Sequence, residues 1–291
     1  MLFELLNIIL PVFLVAFVGF VWIKRGYDFP TDFATRLTMN VGAPCLVFTG
    51  IMNLEDNFTE ASHFMAAAAV AILCLLAISI ILVHMLKLPK RAYSVALFSC
   101  NAGNMGIPLC LFAFGEKGMA LGVAYFSVSV VFSVTVSVFI SHGSMTPATL
   151  SRTTLLYGVA LALFFIFSGL KPPVWLMNTT QLMAGITIPM MLLTLGVSLA
   201  RLKFGSAGKF IFLSALKLSV GILVGFTIAH LFGFEGLERN VLILQTSMPV
   251  AVFSYMLASQ YNRNPEEVAG MIFVSTLMSM ITIPLLLTYM L

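Results

Sequence analysis

The residues with the most chemistry to offer lie in the middle of an apolar stretch. The run Asn101-Ala-Gly-Asn104-Met-Gly106-Ile-Pro108 places two carboxamides, two glycines and a proline within eight residues. Glycine relaxes the backbone and proline removes a donor, so a helix through this run loses internal hydrogen bonds and leaves carbonyls unpaired. At membrane depth, such backbone is tolerated only where it lines a cavity or is buried in protein. A second run, Gln245-Thr-Ser247-Met-Pro249-Val-Ala-Val-Phe, has the same character. A helix restarting near Ile107, and another after Pro249, would each aim a positive dipole end at the bilayer centre. With the amides of Asn101, Asn104 and Gln245, the hydroxyl of Ser247 and the backbone at Gly106, Pro108 and Pro249, the two breaks form a candidate binding site for a small anion. Lys217, in Ser214-Ala-Leu-Lys217-Leu-Ser-Val, is the one Lys or Arg that fits no segment end. Either it faces this site, as intramembrane cations commonly do, or it snorkels toward the interface.

Other chemistry is missing. The eleven carboxylates fall near segment ends, so a mid-membrane proton relay or carboxylate sodium site lacks its usual parts, although backbone carbonyls could hold Na⁺. Neither His-Glu-x-x-His nor Gly-x-Ser-x-Gly nor a phosphate-binding loop occurs, which argues against an enzyme and against ATP as the direct energy source. Cys45, Cys74, Cys100 and Cys110 sit in apolar segments without metal-ligand spacing and read as small core hydrophobes. The histidines His63, His84, His142 and His230 read as interfacial packing. Tyr125, Ser127 and Ser129 are further candidates to line the site, though small polar residues are routine glue between membrane helices. No metal and no cofactor is expected, and coupling to Na⁺ or H⁺ stays open. The net charge of +4 sits in short loops and is no nucleic-acid signal.

The elements that position these residues are membrane helices. Of 291 residues, 60% are hydrophobic and 9% charged, against about 25% charged in soluble domains. Apolar stretches of helix-spanning length recur from end to end, without the alternating pattern of a β-barrel. They predict an all-α integral membrane fold of ten spans: 5–23, 33–52, 64–85, 92–114, 119–140, 153–170, 177–199, 210–232, 237–260 and 268–290. The first is expected as a span and not a cleavable leader, because Glu4 precedes it and Lys24 and Arg25 follow it. Eleven basic residues (Lys24, Arg25, Arg36, Lys87, Lys90, Arg91, Arg152, Arg201, Lys203, Lys209 and Arg263) fall on one side, and three (Lys117, Lys171 and Arg239) on the other. By the positive-inside rule the richer side is cytoplasmic and both termini lie outside.

Pro44 in span two matches Pro189 in span seven, and Pro108 in span four matches Pro249 in span nine. Two five-helix halves, approximately 1–145 and 150–291, must have opposite topology because five is odd, which is the inverted-repeat plan of secondary transporters. Spans four and nine are expected to be broken and to cross at mid-depth. Pro11 and Pro284 read as ordinary kinks.

The Asn-x-Gly-Asn-x-Gly-x-Pro run at 101–108, Asn40-x-x-x-Pro44 and Met248-Pro249-x-Ala251 resemble the auxin efflux carrier family, which includes plant auxin carriers and bacterial permeases for malate or malonate. The resemblance covers essentially the whole chain. It implies a single transmembrane domain over 1–291 with the fold of bile-acid sodium symporters, in which helices 1, 2, 6 and 7 form a scaffold and helices 3–5 and 8–10 a moving unit. It also implies a homodimer through helices two and seven, elevator-type alternating access and, lacking the long loop of many plant members, a bacterial inner-membrane location. The expectation is a secondary carrier of small organic anions, auxin-like or dicarboxylic, embedded in the lipid bilayer. The alternative is a channel or ligand-sensing receptor on the same fold.

Overall fold

A computed structural model of the chain describes residues 2–53, 58–142, 154–201 and 207–290. Glu55, Asp56, Arg152 and Lys203 lie outside the described residues. The described chain is helical. In order, the helices are α1 (Leu2–Lys24), α2 (Thr31–Leu37), α3 (Ala43–Met52), α4 (Phe58–Met85), α5 (Lys90–Phe98), α6 (Ile107–Phe132), α7 (Val138–His142), α8 (Thr154–Ser168), α9 (Val174–Arg201), α10 (Ala207–Leu231), α11 (Gly236–Thr246), α12 (Val252–Gln260) and α13 (Pro265–Met290). Single π-helical turns at Thr38–Gly42, Ala102–Gly106 and Ser133–Ser137 precede α3, α6 and α7.

Among the described residues six helices are long and apolar enough to cross a membrane: Leu6–Lys24, Ser62–Met85, Ala102–Ser141, Val174–Arg201, Gly208–Leu231 and Pro265–Met290. The remaining predicted spans are shorter or interrupted. The run from Ala102 to Ser141 is bent at Gly115, whose φ of 69° and ψ of −163° are not helical. Glycine alone takes such angles without strain, so one continuous sequence becomes two helical arms. Span nine is divided between α11 and α12, and α8 has only 15 residues.

The prolines do not act alike. Pro44 sits in the first turn of α3, and the π-turn before it absorbs the missing donor. Pro189 lies inside an unbroken α9, as Pro11 does in α1 and Pro284 in α13. In span seven the helix runs on through its proline without a break.

Packing follows from small residues, since apolar helices gain little hydrophobic energy from leaving lipid for one another. A Cβ at Gly19 would strike the main chain of Leu193, and one at Gly196 the main chain of Ala16, so α1 and α9 approach backbone to backbone. Gly221 and Gly225 bring α10 equally close to Thr246 and Ile243 of α11. The rim is apolar: Phe17, Leu182, Leu223 and Ile281 are each more than half exposed, as side chains covered by lipid would be. The chain is a multi-pass membrane protein.

Polar contacts join helix ends. The Tyr93 hydroxyl donates to Glu267 at 2.6 Å, and Lys209 pairs with the same carboxylate at 3.2 Å while lying over the Tyr93 ring. Arg263 donates to the Ser141 carbonyl, and Asn240 to that of Met290. Arg201 holds Thr31 and the Phe29 carbonyl, and the Thr154 hydroxyl reaches Met39 and Asn40.

Candidate binding site at the crossing of two broken helices

Helix α5 ends at Phe98, and Ser99 (ψ 119°) is already extended. Helix α11 ends at Thr246, and Ala251 (ψ 135°) is extended before α12 begins. Residues 99–101 and 249–251 therefore lie against each other as two short extended strips, antiparallel at Cys100 and Val250. The Asn101 N–H donates to the Pro249 carbonyl at 2.8 Å, and the Ala251 N–H to the Ser99 carbonyl at 3.1 Å. The Val250 N–H points the other way, to the Ser275 hydroxyl of α13 at 3.1 Å. The Asn101 carbonyl accepts from Met105 and Gly106, which starts the next helical turns. Each break thus satisfies the other's backbone, which is what a water-free interior requires.

Four helix ends meet here. The N-terminal ends of α6, with its preceding π-turn, and of α12 bring partial positive charge, and the C-terminal ends of α5 and α11 bring partial negative charge. The sequence points to the first pair. The second pair follows from the crossing itself.

Lys217 is 1% exposed, and its ammonium donates to the Cys100 sulfur at 3.0 Å. It faces the crossing and does not snorkel. The Cys100 thiol donates in turn to the Thr246 carbonyl at 3.2 Å, and the Tyr125 hydroxyl lies against the same thiol. Cys100 is thus part of the polar centre, which corrects its reading as a core hydrophobe. Nothing in the sequence distinguishes it from Cys74, because only the chain crossing brings a lysine to it.

The carboxamide of Gln245 is fully buried, with its nitrogen 3.4 Å from the Gly122 carbonyl and 3.5 Å from the Cys110 sulfur. A Cβ at Gly106 would collide with this side chain, so the glycine is what lets the carboxamide lie on the turn before α6. Pro108 is buried in the first turn of α6, where a missing N–H costs nothing. Asn101 is 4% exposed, and Asn104, one turn on, is half-buried. The Ser247 hydroxyl is engaged by its own helix, bonding the Ile243 carbonyl at 2.6 Å. Ser127 and Ser129 likewise bond back to Val123 and Phe126. Ser275, which holds Val250, was not singled out in the sequence, where it reads as one more serine in an apolar helix.

Several buried polar atoms around the crossing have no protein partner: Asn101 Nδ2, Ser99 Oγ, Gln245 Oε1 and Ser254 Oγ. Leaving such a group unpaired costs about 1–3 kcal/mol, so their clustering on the two breaks and the adjoining turns suits groups that hydrogen-bond a polar ligand. Among the described residues no cluster of three or more His, Cys, Asp or Glu side chains could hold a metal.

A profile of the family described as membrane transport protein matches residues 5–151 and again 143–287. An uncharacterised transporter from Methanocaldococcus jannaschii is 26% identical over 270 residues, covering 86% of each chain. An uncharacterised transporter from Methanothermobacter thermautotrophicus is 23% identical over 295 residues, covering 95% of each.

Proposed function

Because the chain belongs to the membrane transport protein family, of auxin efflux carrier type, we propose that it is a secondary carrier of small organic anions working by alternating access. The family is one of transporters and not of enzymes. The single observation behind the anion is the crossing: a fully buried lysine ammonium, orphaned amide and hydroxyl atoms and two helix N-termini in one apolar volume, with no carboxylate among the side chains named there. A carboxylate can accept from the ammonium, the Asn101 amide nitrogen and the hydroxyls and is favoured by the helix N-termini, whereas Gln245 Oε1, an acceptor, needs a donor elsewhere on the ligand.

The reading includes ten spans in two inverted halves, both termini outside, with spans 3–5 and 8–10 moving against a scaffold of spans 1, 2, 6 and 7. The polar contacts support this division. Tyr93, Lys209, Glu267, Arg263, Ser141, Asn240, Lys217, Cys100, Gln245 and Ser275 bond within the first set. Arg201, Thr31, Thr154 and Asn40 bond within the second, and none of these bonds joins the two. Where the sets touch, as at Gly50 against Val123, the contact is apolar and can slide. The reading also includes a homodimer through spans two and seven.

Counterflow in proteoliposomes, with labelled mono- and dicarboxylates and indole acids, tests the proposal. Saturable exchange of at least one is expected, and Lys217→Met should weaken its binding constant while the protein stays folded. Unsaturable conductance would make the protein a channel, and binding without flux a sensor.

A further inference from the structure

Lys217 lies in the interior of α10, and its shown partner is a thiol, not a carboxylate. The same thiol lies 3.2 Å from the Thr246 carbonyl, to which it donates. The acidic residues whose side chains are described lie elsewhere. Asp28 and Asp32 lie before and within the first turn of α2, Glu116 just past the Gly115 bend, and Glu235 and Glu238 at the start of α11. Glu266 and Glu267 open α13, and Glu267 is already held by Tyr93 and Lys209. The C-terminal ends of α5 and α11 offer the ammonium partial negative charge, and the N-terminal ends of α6 and α12 at the same crossing offset it. Among the described side chains no carboxylate pairs with the Lys217 ammonium, and the side chain has almost no water-exposed surface.

We propose that Lys217 makes the empty transport unit a carrier of one net positive charge across the membrane field, and that a bound monoanion cancels it. This rests on the reading of spans 3–5 and 8–10 as a moving unit. The consequence is exchange. A loaded unit moves through the membrane field as a neutral pair, whereas an empty one carries a bare cation through it. Return of the unit is therefore favoured with an anion aboard. A single-charge carboxylate balances the lysine, while a dianion leaves the loaded unit negative.

The charge is measurable without knowing the substrate. Fluorophores placed by Lys24→Cys, at the end of α1, and Lys87→Cys, between α4 and α5, report the distance between scaffold and moving unit at one face. Both positions are exposed. The full chain is reconstituted in liposomes without any carboxylate, and an impermeant quencher silences molecules whose labelled face is outside. K⁺ diffusion potentials of either sign are then imposed. The ratio of the two distance populations is expected to shift several-fold on imposing about 100 mV, in opposite directions for the two signs, with a ceiling near 50-fold for one charge crossing the whole field. Lys217→Arg should keep the response, and Lys217→Met should lose it while retaining both populations. Equal insensitivity of the unsubstituted protein, or an undiminished response in Lys217→Met, overturns the inference but leaves the carrier reading standing. A single population under every condition removes the moving unit, and with it both.

Discussion

The main-chain N–H of Asn101 meets the carbonyl of Pro249 at 2.8 Å, joining the break in one helix to the break in another that is far away in sequence. Proline at 249 cannot donate, but its carbonyl can accept, and asparagine at 101 gives up helical geometry to reach it. The bond leaves the Asn101 side-chain nitrogen buried and without a protein partner. Main chain and side chain of one residue thus differ: the first joins the two breaks, and the second, under the proposed function, is free to bind the ligand.

Asn101→Ala removes an orphaned donor and not a made bond, so stability should hold or rise slightly. Flux of the exchanged carboxylate should nonetheless fall at least tenfold, and Asn104→Ala should lower it further. Near-normal counterflow in the double variant, with unchanged thermal unfolding, would move the site away from this crossing.

Gly106→Ala should destabilise by about 1–3 kcal/mol, because the new methyl overlaps the Gln245 carboxamide. Shortening the partner makes room, so Gln245→Ala should recover part of the loss in the double variant. Thermal unfolding of the four proteins in detergent measures the coupling. Additive losses would show that the two residues do not share this space.

Ser275→Ala leaves the buried Val250 N–H without an acceptor and should cost about 1–3 kcal/mol. Ser275→Thr keeps the hydroxyl and should restore most of it. Amide exchange at Val250 provides a local reading: the alanine variant should exchange faster there, and an unchanged rate would remove the serine's role in supporting the break.

The basic-residue bias predicts opposite sides for two exposed sites, Lys87 and Glu235. In sealed cells, an impermeant thiol reagent should label Glu235→Cys and spare Lys87→Cys, and lysis should open both. The reverse pattern would invert the orientation.

Much of this molecule was legible from local composition. Asparagine, glycine and proline in apolar runs mark where helical hydrogen bonding must fail, and the failures fall at 99–101 and 247–251, at or beside the predicted runs. A proline alone was a weaker guide. Pro44 needed a π-turn, while Pro189 sits in an intact helix, because the cost of one lost donor depends on how the preceding turn can relax. What the tertiary structure decided is which groups satisfy the exposed backbone. Residues 99–101 and 249–251 complete each other, Ser275 takes the remaining N–H, and Cys100 becomes the partner of Lys217. These are pairings between residues distant in sequence, and one side chain's environment is set by helices that its own neighbours do not specify. A break in a helix can be read from its residues, but the partner that makes the break tolerable is chosen only when the second chain segment arrives beside it.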